Sequence, residues 1–259
     1  DENSEYAATI SELPLAQTYN MAFFNYSADT TTPPVAEYTI YVYNPGNNII
    51  ETYYKNGSDS MPYNTGATLK VSEFRGSSSA KHLYTDKRAM EAWNSFRSHY
   101  GKGIHVGYAF KRIWEGGHGV TSQHYAGLAF DVGQNLGSSE RENLRAAARN
   151  CGLWGYVEPA SEAPTWVHFD RRLVSGSGYS QIQEGAKGVY VFILQDALNA
   201  LGYTGSAFNG TFSSATTASV KRFQRDKGLS VDGIVGSNTW NKLANAAKGI
   251  GKTSTVVNP

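Results

Sequence analysis

The stretch Ser122-Gln123-His124-Tyr125-Ala126-Gly127-Leu128-Ala129-Phe130-Asp131 constrains this chain more than any other part of it. An imidazole and a carboxylate stand seven positions apart, with small residues between them. Gly127 and Ala129 let a tight turn and a strand approach each other, so both side chains can face one point. A second stretch, Thr165-Trp166-Val167-His168-Phe169-Asp170, reads as a strand. There Trp166, Val167 and Phe169 supply a dry wall around His168. The two stretches offer two imidazoles and one carboxylate. Three such ligands suit a catalytic zinc ion, with one coordination position left for water. Spacing alone leaves a second reading open, in which both histidines are hydrogen-bonded core residues.

The flanking chain predicts small domains of mixed α+β class, with helices and antiparallel strands. Residues 1–68 read as a β-rich N-terminal extension. Glu37 to Tyr43 and Ile49 to Tyr54 form strands around the turn Asn44-Pro45-Gly46-Asn47, and the opening through Pro34 is irregular. From Leu69 to Val174 helices and strands alternate. Asp86 caps a helix with Met90, Trp93, Phe96 and Tyr100 on one face, ended by Gly101. Ile104 to Phe110 reads as a strand. Ser138 or Ser139 caps a second helix, with Leu144, Ala147 and Ala148 inward. Tyr156 to Glu158 and Trp166 to His168 read as hairpin arms, with Glu158 opposite about Trp166. Residues 175–184 have linker composition. Residues 185–247 read as three helices, the first with Val191, Leu194, Leu198 and Leu201 on one face and the last capped by Ser237. A frayed tail follows from 248 to 259.

Composition narrows the setting. A formal net charge of +1 gives no footprint for nucleic acid. The single cysteine, Cys151, excludes an intramolecular disulfide and reads as a small buried residue. No apolar run is long enough to span a membrane. A monomer is expected.

Ser122-x-His124-x-x-Gly127-x-Ala129-x-Asp131, with His168 on a later strand, resembles the peptidase M15 family from about Leu69 to Leu173. That family comprises zinc D-alanyl-D-alanine carboxypeptidases and related endolysin peptidases, whose fold the hedgehog domain shares. The resemblance implies zinc ligation by His124, Asp131 and His168. It also implies that Val106-Gly107-Tyr108 with Lys111 and Arg112 matches the family's Ser-Gly-Tyr-Arg stretch, whose arginine binds a substrate carboxylate or carbonyl. Arg112, or Lys111, is therefore expected to steady the substrate. The family's usual proton acceptor, an acid three residues or a His two residues before the last ligand, is absent, because Thr165 and Trp166 occupy those places. Glu158, walled by Trp154 and Trp166, is the expected general base, and His118 is expected to line the cleft.

Gly185 to about Asn245 resembles the peptidoglycan-binding domain-1 family. The match runs through Leu194-Gln195, Gly202-Tyr203, Asn209-Gly210-x-Phe212, Val220-x-x-Phe223-Gln224, Asp232-Gly233 and Thr239-Trp240. A sugar groove near Tyr203, Phe208 and Trp240 is expected. Together the resemblances imply a secreted or wall-associated zinc peptidase acting on peptidoglycan stem peptides. The alternative is an inactive wall-binding protein that keeps the peptidase fold for recognition.

Overall fold

The computed structural model describes residues 35–251. The expected irregular opening through Pro34 and residues 252–259 of the expected tail lie outside the described residues.

Two antiparallel strands, β1 (Tyr38–Asn44) and β2 (Ile49–Lys55), form the expected hairpin, in register from Asn44↔Ile49 to Tyr38↔Lys55. Burial alternates along β1, with Tyr38, Ile40 and Val42 inward, as a period of two demands. The Asn44 side chain accepts from the Gly46 amide at 3.1 Å and closes the turn. The other edge of β1 pairs in parallel with β3 (His82–Asp86), giving the order β2-β1-β3. A parallel pair needs a crossover; this one contains the short helix α1 (Val71–Arg75). The hairpin expected as an N-terminal extension thus shares a sheet with the central part of the chain.

Helix α2 (Lys87–Tyr100) starts where Asp86 accepts from the Arg88 amide at 2.8 Å. It ends at Gly101 in the left-handed conformation and buries Met90, Trp93 and Phe96. The second sheet is antiparallel, in the order β4-β5-β7-β6. Its strands are β4 (Val106–Tyr108), β5 (Ala129–Val132), β6 (Tyr156–Val157) and β7 (Val167–Asp170). Helix α3 (Ser138–Asn150) contacts β6, β7 and α2, with Leu144 and Ala148 buried. Its cap is Gly137 rather than a serine; Glu140 reaches back to the Gly137 amide at 3.3 Å. Aromatic rings fill the core, with Trp93 against Phe130 at 4.7 Å and Trp154 against Phe169 at 4.3 Å.

The last three helices are α4 (Val189–Ala200), α5 (Ser214–Asp226) and α6 (Ser237–Ala247), the last capped by Gly236 instead of Ser237. One apolar face was expected on α4. The structure buries every residue from Val189 to Asn199. The physical reason is the run Val189-Tyr190-Val191-Phe192-Ile193-Leu194, apolar on all sides, and such a helix has no face for water. It touches α5 and α6, and it also touches β3 and the turns around residues 113–115 and 123–126. The segment 175–184 is correspondingly packed: Tyr179 donates to the Ser122 carbonyl at 2.9 Å, and Ile182 bridges to Val235. The start of the tail is docked rather than frayed. The Gly249 and Gly251 amides donate to the carbonyls of Ile113 and Trp114 at 3.1 and 2.8 Å.

Candidate metal centre

His124 sits in a 3₁₀ turn, Gln123–Ala126. The Ser122 hydroxyl accepts from the His124 amide at 3.3 Å and caps the turn. Gly127 closes it at φ +66°, where a Cβ would meet the Tyr84 carbonyl oxygen at 2.1 Å. Only glycine tolerates both the conformation and the approach. The imidazole is buried, and its Nδ1 donates to the Ala109 carbonyl at 2.8 Å. That bond fixes the tautomer and leaves the Nε2 lone pair pointing inward.

Asp131 on β5 and His168 on β7 are direct cross-strand partners, so their side chains share one sheet face. His168 Nδ1 lies 2.7 Å from Asp131 Oδ1. Its other nitrogen, Nε2, faces Asp170 Oδ2 at 3.3 Å, and Arg172 holds Asp170 through two bonds of 2.9 and 2.7 Å. An Asp170 carboxylate accepting from Nε2–H turns the Nδ1 lone pair toward Asp131 and His124. Such a carboxylate–histidine pair orients a metal ligand.

One ligating atom from each of His124, Asp131 and His168 lies within 4.8 Å of the others. His124 Nε2 is buried without a hydrogen-bond partner, 3.3 Å from Asp131 Oδ1. A lone pair facing a carboxylate is unfavourable unless a cation or proton stands between them. The donor set of two imidazole nitrogens and one carboxylate oxygen fits zinc. Without a cation the cluster holds protons instead. Burial opposes charge on His168, yet Asp131 and Asp170 outweigh it and raise its pKa to about 9. Burial likewise opposes charge on Asp131, but the two imidazoles hold its carboxyl below the usual range.

The cluster opens into a cleft of about 270 Å³, lined among others by His118, Ser122, Glu158, Trp166, Arg172 and Gly178. Glu158 reaches it by a different register from the one expected. Tyr156 pairs with Asp170 and Val157 with Phe169, and the Glu158 amide donates to the His168 carbonyl at 3.0 Å. Glu158 therefore stands opposite His168, not Trp166, which puts it on the His168 side of the sheet. Its pKa is raised, first by desolvation; the His168 charge opposes this and Asp131 adds to it. His118 packs its ring 4.4 Å from His124 and 4.5 Å from Tyr108. Burial, then the neighbouring His124, depresses its pKa to about 3. Lys111 lies outside the cleft lining, its Nζ 5.7 Å from the Tyr108 ring centre.

Arg112 is not brought to the cleft. It is fully buried and gives two bonds, 2.6 and 2.7 Å, to Asp196 on α4. Its third arm donates to the His82 carbonyl, and the Phe208 ring covers its face at 4.3 Å. Held there and sealed from solvent, the guanidinium does not reach a substrate in the cleft. Phe208 is itself spent in this contact. Trp240 is also no sugar platform: it is 2% exposed, and its Nε1 donates to the Ser180 carbonyl. Tyr203 is half-buried edge-on to Phe223 at 5.4 Å. The roles of Asp170 and Arg172 were missed, although the two-residue period already put Asp170 on the face of His168.

Residues 187–243 match the family described as "Putative peptidoglycan binding domain". The chain carries that domain. Relatives reach the same region. A zinc D-Ala-D-Ala carboxypeptidase of Streptomyces albus G is 42% identical over 66 residues, 24% of this chain and 25% of the relative. The N-acetylmuramoyl-L-alanine amidase CwlL of Bacillus licheniformis is 38% identical over 76 residues, 29% of this chain and 19% of the relative. A spore cortex-lytic enzyme of Oceanobacillus iheyensis is 36% identical over 66 residues, 26% of this chain and 24% of the relative. The chain thus spans a quarter or less of the length of these relatives. Among solved structures, the SleB N-terminal domain is similar at 36% identity, over 27% of this chain and 94% of that one, with a TM-score of 0.26.

Proposed function

We propose that this chain is a zinc-dependent peptidase of the bacterial cell wall, which hydrolyses peptide bonds in peptidoglycan stems outside the cytoplasm. The observation that carries the reading is the convergence of His124 Nε2, Asp131 and His168 Nδ1, with one of those atoms buried and unpartnered. The peptidoglycan binding domain supports the substrate class.

Zinc held there would supply Lewis acidity, polarising the scissile carbonyl and making a water acidic near pH 7. The rest of the work falls to the chain. Ala109 and Asp170 fix the tautomers of the two histidines. Glu158, lifted by desolvation, takes the proton of the attacking water and returns it to the leaving amine. Trp166 and Tyr156 wall the cleft beside it. With Arg112 bound to Asp196, the cleft lining holds Arg172, and Lys111 lies over the Tyr108 ring.

Mass spectrometry of muropeptides, released from purified peptidoglycan with and without a zinc chelator, tests this. Chelator-sensitive loss of a terminal alanine identifies a carboxypeptidase, and chelator-sensitive cleavage inside the stem or bridge an endopeptidase. A protein that pellets with the wall and releases nothing is the non-catalytic binder that Thr165 and Trp166 already suggest.

A further inference from the structure

Gln123 links the turn that carries His124 to the connecting segment and to the peptidoglycan-binding domain. It directly precedes His124 in the 3₁₀ turn and is 5% exposed. Its Nε2 donates to the Gly178 carbonyl at 3.1 Å, and its Oε1 accepts from the Tyr190 hydroxyl at 3.4 Å. Gly178 lies in the connecting segment, and Tyr190 in the first turn of α4. Next to Gln123, the Ser122 carbonyl accepts from Tyr179. The start of the turn that carries His124 is therefore held by the connecting segment and by α4. Ser177 and Gly178 also line the cleft.

Further contacts tie α4 to the same part of the fold. Phe192 stacks on Tyr84 at 4.9 Å, and the Tyr84 hydroxyl donates to the Tyr125 carbonyl in the same turn at 2.8 Å. Trp114 Nε1 joins Arg112 on Asp196 at 3.0 Å. A flexible tether raises local concentration and leaves the site's geometry alone. Here the connector forms cleft wall, and α4 is a packing partner of the site.

We infer that the connecting segment is a built-in wall of the cleft, backed by α4 of the peptidoglycan-binding domain, and that Gln123 is the positioning residue through which the two hold His124 in place. The consequence is that wall binding and the reaction centre are coupled as one body, so the substrate strand is presented at a set distance from the module. The inference rests on the metal-centre reading for its meaning, but its first test does not need a metal.

The test uses the full chain with Gln123→Met, which keeps length and removes both polar contacts, and Tyr190→Phe, which removes one hydroxyl. Hydrogen exchange at the amides of residues 123–128 is followed in the metal-free protein. Zinc affinity is then measured by competition with a chromogenic chelator, and melting temperature separately. The expected result is exchange at 123–128 faster by about tenfold in Gln123→Met and less in Tyr190→Phe, with exchange in 38–55 unchanged. Zinc affinity falls by about tenfold, the lower end of what supporting residues contribute. If Gln123→Met fails to fold, Tyr190→Phe carries the test. Unchanged exchange and unchanged zinc affinity in folded variants overturn the inference alone. Altered exchange in a protein that binds no zinc supports the mechanical link and overturns the metal reading instead.

Discussion

Arg112–Asp196 and His124–Asp131–His168 both place charge out of water, and they do so in opposite ways. Around Arg112 the opposite charges pair. Asp196 takes two guanidinium bonds and one from Trp114, and a carbonyl takes the third arm. Burial lifts the Asp196 carboxyl, and Arg112 pulls it back. Around His124 the count does not close, because Nε2 meets only a carboxylate oxygen. A paired set sealed from solvent is architecture, since no ligand can reach it. An open set of convergent lone pairs is a receptor for a cation. The same contrast explains why an arginine beside a family-like motif ended in the packing between two halves of the fold.

The contrast can be broken from either end. His124→Ala should abolish zinc binding. At zinc about 1,000-fold above its Kd the unmodified protein gains about 4 kcal/mol, and the variant should gain nothing in thermal unfolding. A shift that survives the substitution removes the cluster from consideration. Glu158→Gln should keep the zinc-dependent shift and lose about 10²–10⁴-fold in turnover on muropeptides; retained turnover assigns the base elsewhere. On the closed side, Asp196→Ala leaves a buried cation unpaired and should cost about 3–5 kcal/mol in urea unfolding. Arg112→Met with Asp196→Leu should recover most of that loss. A double variant as unstable as Asp196→Ala would mean that the pair does more than hold the interface.

Smaller effects sharpen the open side. Asp170→Asn removes the acceptor that orients His168 and should weaken zinc by about 10–100-fold, with little change in fold. Finally, zinc must displace the proton that His168 holds up to about pH 9. Affinity should climb by about tenfold per pH unit between pH 7 and 9, then level off. The same proton stabilises the metal-free fold. That contribution is full below about 6.5, the ordinary histidine value, and is lost as pH rises through about 9. Isothermal titration across that range, beside urea melts of the metal-free protein, reads both slopes.

Local rules made much of this legible. Asp86 caps α2, and Met90, Trp93 and Phe96 face inward because three- and four-residue spacing leaves no other choice. The turn at Gly127 follows from residue size. Even the full burial of α4 was written in Val189 to Leu194, once the run is read as apolar on every side instead of one. The register of Glu158 was off by two residues, because a hairpin's pairing depends on its turn geometry and not on its length alone.

What the sequence determined by itself was the identity of the His124, Asp131 and His168 set and the module at 187–243. The module is carried by a residue pattern along its length and the pairing of His124 with Asp131 by short-range spacing, while His168 was assigned to the set by a family resemblance and is brought beside Asp131 by strand pairing. What only the tertiary structure decided was partnership over long separation. Arg112 meets Asp196 across 84 positions and Gln123 meets Gly178 across 55, while β3 reaches back to β1 in parallel. The physical reason is that a charge or an edge strand takes whichever partner packing brings to it, and packing is a property of the whole fold.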